Sequence, residues 1–152
     1  MMVQSTRFGE IEVAEEGILQ FPCGIPGFVE EKTFALLPYQ PDSPFSFLQS
    51  LKDPSLAFMI VEPFSFFPDY DFELDDVIVE ELGLSDENVP QIFNIVRVPE
   101  KIEEMTVNLL APIIVNWQSH KAMQHVLVTT SYPVRQRVFP EGIPSRTGKG
   151  GR

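Results

Sequence analysis

LAFMIVEPFSFFPDYDFELDD, residues 56–76, holds the strongest local constraints in the chain. LAFMIV (56–61) is a continuous apolar run and reads as a fully buried strand. Pro63 and Pro68 then break any long strand that could bury all of Phe64, Phe66, Phe67, Tyr70 and Phe72, because proline brings no N–H to a sheet ladder. If 69–74 is extended, its period of two sends Asp69, Asp71 and Glu73 to one face and Tyr70, Phe72 and Leu74 to the other. One face charges the surface while the other enters the core. In DDVIVEELGL (75–84) the signals become helical. Asp75 or Asp76 can cap the free amides, acids crowd the first turns, Val77, Ile78 and Leu82 gather on one side, and Gly83 supplies a stop. This predicts one short helix over about 75–83.

Outward from there the signals are those of short strands. Residues 2–8, 10–13 (with Ile11 and Val13 on one face) and 18–21 come first. PCGIPGF (22–28) puts two prolines and two glycines into a tight shaped loop. Residues 34–37 and 45–51 are further strands, joined through PYQPDSP (38–44). After the helix come QIFNIVRV (91–98), ended by Pro99, and MTVNLLAPIIVNW (105–117), read as one long strand interrupted at Pro112 or as two. A polar turn over 118–122 leads to a return strand over 123–129. The chain is therefore mostly β, a small antiparallel barrel or closed sandwich with one short helix. The parallel α/β classes lack their helices. A single domain over residues 1–139 accounts for all of these elements. From Pro133 onward the chain loses hydrophobic periodicity and ends in Gly, Lys and Arg, so residues 140–152 are predicted to be a disordered tail.

The net charge of −11 is informative once located. From Asp53 to Val96 there are eleven acidic residues and no Lys or Arg, and the rest of the chain is balanced. Phosphate backbones would be repelled, so direct nucleic-acid binding is disfavoured and a basic partner protein is favoured. The sequence lacks an eighteen-residue apolar run and the order of a signal peptide, so a cytoplasmic protein without membrane attachment is expected. The lone Cys23 suits a reducing compartment.

Chemistry-bearing patterns are sparse. One Cys and two His, with His120 and His125 five apart, do not make a metal site, and the acids of 69–75 place Leu74 where an EF-hand loop needs glycine. Cys23 sits between Pro22 and Gly24 with no histidine near it in sequence, and there is no GxSxG. No catalytic residue, metal or cofactor is expected. Taken singly, an aromatic in such a segment is most simply buried and an acid most simply solvated. Five rings within nine residues, interrupted by prolines and bordered by acids, instead fit a recognition patch, where rings give contact area and charges steer partners.

The motifs FGEIEV (8–13), ILQFPCGIPGF (18–28), FALLP (34–38), SPFSFLQSLKDPSLAFMIVEPFSFFPDYDFELDD (43–76), EELGL (80–84) and MTVNLLAPIIVN (105–116) together resemble the bacterial flagellar assembly factor FliW family over about residues 3–132. The resemblance implies a small β-barrel-like, non-enzymatic regulator. It would bind flagellin and also CsrA, a small dimeric RNA-binding repressor of flagellin translation, so that the message is freed until accumulating flagellin reclaims the regulator. A flagellin chaperone without a translational role is the alternative. Carried onto this chain, the motif residues expected to bind partners are Phe64, Phe66, Phe67, Asp69, Tyr70 and Asp71, with Asn108 and Leu110 from NLLAP beside them. Two departures stand out: Cys23 lies where the family usually has a polar residue, and the tail after Pro140 has no evident family counterpart.

Overall fold

A computed structural model describes residues 1–128 and 130–139; the expected disorder of 140–152 lies outside the described residues. The strands are β1 (Met2–Ser5), β2 (Gly9–Glu12), β3 (Ile18–Gln20), β4 (Thr33–Pro38), β5 (Phe45–Ser50), β6 (Ala57–Val61), β7 (Gln91–Arg97), β8 (Thr106–Val107), β9 (Ile113–Asn116), β10 (Lys121–Gln124) and β11 (Gln136–Arg137). One α-helix, α1 (Asp76–Leu82), lies between β6 and β7. Neighbouring strands run β7-β6-β5-β4-β3-β10-β9, and β9 pairs back onto β7, closing a seven-stranded barrel. Closure removes the open edges that a flat sheet of these strands would expose. The mostly-β, barrel-like fold expected from the sequence is the observed one, with one departure: β3 and β10 meet in parallel, through the single register pair Lys121 and Gln20.

The apolar runs are continuous because both faces of several strands are covered. In β4, Phe34 and Leu36 enter the barrel core while Ala35 and Leu37 face a second cluster under the β1–β2 hairpin, with Val3 and Val13. In β9, Ile113 and Val115 point into the barrel and Ile114 packs beneath α1 against Ile78 and Leu82. In β6, Phe58 and Ile60 look inward, while Met59 and Val61 look out onto the aromatic segment that follows. LAFMIV is thus covered on both sides, although only Ile60 and Val61 are fully buried. The loop over 22–32 drops Ile25 into the barrel core and lays Phe28 edge-on against Phe58, ring centroids 5.2 Å apart. It turns at Gly24 (φ +69°), where a Cβ would fall 2.5 Å from the Val29 carbonyl oxygen, so only glycine fits.

Several boundaries differ from expectation. The helix ends as predicted on Gly83, in the left-handed region (φ 69°), but the side chain of Asp75, at the N-cap, makes no capping hydrogen bond. Val77 is 62% exposed, because it lies about 100° around the helix from Ile78, whereas Ile78 and Leu82 share a face one turn apart. MTVNLLAPIIVNW is two strands with NLLAP between them. The return strand begins at Lys121, since its register with Asn116 leaves only four residues for the turn, one of them His120 at φ 58°. Residues 69–75 form no strand, yet their burial alternates as a strand's would. Beyond Pro133, where the sequence carries no hydrophobic periodicity, β11 pairs with β8 and Val138 is buried.

Candidate functional site

The site grows from a gap on β7. One edge of β7 is paired to β6 along Asn94–Val96; the other is divided between β9, opposite Gln91–Phe93, and β8, opposite Val96 and Arg97. NLLAP bridges the two and leaves Asn94, fully buried, facing unpaired backbone. A buried amide must find partners. Its Nδ2 donates to the Asn108 carbonyl (2.8 Å) and to the Tyr70 hydroxyl (3.3 Å), and that hydroxyl donates to the Leu109 carbonyl (2.6 Å). Asn108 shapes the bridge itself, its Oδ1 accepting from the N–H groups of Leu110 and Ala111, both at 3.1 Å. This is an Asx-type turn, a local bond that replaces missing ladder partners. Burial pushes the Tyr70 hydroxyl up to about 12, against a weaker opposing effect of the Asn94 hydrogen bond.

Tyr70 therefore anchors the aromatic segment to the barrel wall. Phe66, Phe67 and Phe72 lie half-buried over Val61, Val96, Val107 and Leu109. Phe66 also stacks on Phe45 (5.6 Å) and edge-on to Phe139 (5.9 Å). Of the expected contact residues, Phe64 is 48% exposed, Asp69 and Asp71 are exposed, and Phe66, Phe67, Leu110 and Asn108 are half-buried. Tyr70, expected among the partner contacts although on the core-facing side of the alternation, is only 4% exposed: its ring fills the space under Phe64 and against Tyr132, and its hydroxyl is committed inside. Asn108 is likewise occupied in holding its own turn.

Around these residues opens a cleft of about 390 Å³, walled by Phe66, Phe67, Tyr70, Leu109 and Tyr132, with Asp69 in its lining. Tyr132 was not foreseen. Its ring meets Tyr70 at 4.7 Å, and its hydroxyl both accepts from the Asp71 N–H and donates to the Asp71 carbonyl, each at 3.0 Å. The partners are 61 residues apart, and no local pattern marks Tyr132.

Charge adjoins the cleft on one side. Asp69, Asp71, Glu73, Asp75, Asp76, Glu80, Glu81, Asp86 and Glu87 are all exposed, running from the cleft rim over the outer face of α1 and the loop beyond. Among the described residues the one basic side chain within 4.0 Å of a carboxylate of this ridge is His125, whose Nε2 lies 3.7 Å from Asp75 Oδ2. Cys23 is exposed beside Glu81, Lys121 and Met123. Among the described residues no three His, Cys, Asp or Glu side chains are grouped to hold a metal ion, and no helix is long and apolar enough to cross a membrane. What the arrangement offers is an aromatic recess with an anionic flank, suited to an apolar anchor carried by a basic partner.

Comparison with known proteins agrees with this architecture. The family model described as FliW protein matches residues 2–138. The flagellar assembly factor FliW of Desulfitobacterium hafniense (strain Y51) is 51% identical over 152 residues, all of both chains, and that of Heliobacterium modesticaldum is 43% identical over 99% of each. The first alignment runs through residues 140–152, so the tail does have a counterpart among relatives. A solved structure, the crystal structure of the flagellar assembly factor FliW, superposes with a TM-score of 0.85 at 39% identity, covering 94% of this chain and all of that one.

Proposed function

The chain belongs to the FliW family, and from that premise we propose that it is a cytoplasmic, non-enzymatic regulator of flagellar assembly that binds flagellin and the translational repressor CsrA. Binding CsrA would free flagellin messenger RNA for translation. Flagellin would compete for the regulator, so occupancy by one partner lowers occupancy by the other only as far as affinity and concentration allow. The observation that carries the CsrA half of this reading is the acidic ridge beside the aromatic cleft, nine exposed carboxylates on a stretch without Lys or Arg. Negative potential of that extent attracts a cationic RNA-binding protein and repels RNA phosphates, so RNA and regulator disfavour each other on the same repressor. Phe64, Phe66, Phe67, Asp69 and Asp71, with Leu110 nearby, are the proposed contacts; Tyr70 and Asn108 position them.

Titration calorimetry with CsrA, alone and in the presence of flagellin, tests the proposal. Heat of CsrA binding that disappears when flagellin is present is the expected result. Simultaneous binding of both would overturn partner exchange. Binding of flagellin without any binding of CsrA would favour a flagellin chaperone with no translational role.

A further inference from the structure

We propose that the open edge of β2 receives an extended segment of another protein whose side chains alternate basic, apolar, basic, adding a third strand to the β1–β2 hairpin. Met1 and Val13 exchange both backbone bonds across the hairpin (3.0 and 2.8 Å). Antiparallel pairs alternate, so Val3 with Ile11 and Ser5 with Gly9 are the next bonded pairs, and the N–H and C=O groups of Glu10 and Glu12 point away from β1. Among the described residues β2 pairs with no strand but β1, and no other backbone group bonds to this edge. The outer edge of β1, by contrast, is continued by Thr6, whose N–H donates to the Pro54 carbonyl (2.8 Å). Beside the open edge, Ile11 lines a groove of about 350 Å³ with Phe8, Leu37, Tyr39 and Phe47. Phe8 meets Phe47 edge-on at 5.2 Å yet is 40% exposed, and Tyr39 is 53% exposed, so ring surface remains for a partner to cover. This groove shares no lining residue with the cleft at Phe66, and the proposal does not rest on CsrA or flagellin.

The pleat then dictates the partner. A strand laid antiparallel to β2 sets one residue opposite Ile11, facing the groove, and its two neighbours opposite Glu10 and Glu12 on the outer face. Both carboxylates are exposed, and the exposed Glu15 and Glu16 follow them. Their present contacts are weak surface ones: Glu12 lies 3.4 Å from the Met1 ammonium, and Glu10 Oε2 accepts from Gln4 Nε2 at 2.7 Å. Arg7 stands over the Phe47 ring, 5.3 Å from its centroid, which disfavours a cation in the groove itself and leaves the basic positions outside it. A second copy is the wrong occupant. Placed antiparallel about Ile11, it would set Glu10 against Glu12 twice, like charges directly opposite, whereas lysine or arginine there makes two opposite-charge pairs. Backbone pairing supplies attachment, and the alternate side chains supply selection.

The test titrates the isotope-labelled full chain with the capped peptide Thr-Lys-Ile-Lys-Thr and its counterpart Thr-Glu-Ile-Glu-Thr, reading amide shifts by NMR at about 0.01 M ionic strength, where screening is weak. The basic peptide is expected to give saturable shifts at Phe8, Glu10, Glu12 and Tyr39 and to bind about tenfold more tightly than the acidic one. That preference should reverse in Glu10→Lys/Glu12→Lys, which alters two exposed side chains. Methylating the backbone nitrogens of both peptide lysines, which face the edge, should abolish the shifts, and methylating that of the isoleucine, which faces away, should not. Shifts confined to residues 69–87 would show attraction to net charge alone and overturn the proposal. Equal binding of the two peptides, or indifference to lysine methylation, overturns it as well. So does broadening at β2 that grows with protein concentration in the absence of peptide, which would make a second copy the occupant.

Discussion

Tyr70→Phe removes one oxygen atom from the interior and tests how the aromatic segment is held. The hydroxyl donates to the Leu109 carbonyl at 2.6 Å and accepts from Asn94 Nδ2 at 3.3 Å. Without it Asn94 keeps its bond to the Asn108 carbonyl, but the Leu109 carbonyl loses a strong donor in a site Phe cannot hydrate. A net hydrogen bond contributes about 1 kcal/mol, and a buried acceptor left unsatisfied costs about 1–3 kcal/mol, so a loss of about 2 kcal/mol is expected. For a chain of this length that lowers Tm by about 6–8 °C. The same residue gives a pH signature. Its folded pKa, about 12, lies above the ordinary 10.0, so its contribution is fully present below pH 10 and is lost as pH rises toward 12 and the unfolded chain ionises first. By pH 11 the loss is about 1.4 kcal/mol. Urea denaturation of both proteins from pH 7 to pH 11 reads both effects. Wild type should lose about 1.4 kcal/mol more than the variant across that range. Equal stability at pH 7, or parallel alkaline limbs, would refute the buried anchor.

Other substitutions separate the roles of neighbouring residues. Asp69→Lys/Asp71→Lys alters two exposed side chains and should leave Tm within about 2 °C while weakening CsrA about tenfold at low ionic strength, an effect that shrinks with added salt in calorimetry. Gly24→Ala should cost about 2–4 kcal/mol in thermal denaturation, because positive φ and a 2.5 Å approach to Val29 coincide, whereas Gly27→Ala, with positive φ but open space, should cost about 1 kcal/mol. Asn116→Ala should cost about 2–4 kcal/mol and fray α1 by circular dichroism, since its Nδ2 donates to the Leu82 carbonyl and its Oδ1 accepts from the Gln118 N–H (2.9 Å), the Ser119 N–H (3.3 Å) and Asn88 Nδ2 (3.1 Å).

By itself the sequence determined what depends on neighbours in the chain. The prolines at 63 and 68 stopped a strand, Gly83 stopped a helix, and the alternation of Asp69 to Leu74 assigned each side chain to solvent or protein even though no strand forms there. The eleven acids without a cation were equally plain, because charge is counted before folding and needs no partner to be present. Only the tertiary structure decided what depends on contacts across the chain. The alternation put Tyr70 on the protein side, but what its ring and hydroxyl meet there was set by Asn94, Leu109 and Tyr132, 24 to 62 residues away. The split edge of β7, the parallel closure of β3 on β10 and the cleft at Phe66 are properties of how segments distant in the chain meet. Periodicity records which way a side chain points, and only the closed barrel supplies what stands opposite it.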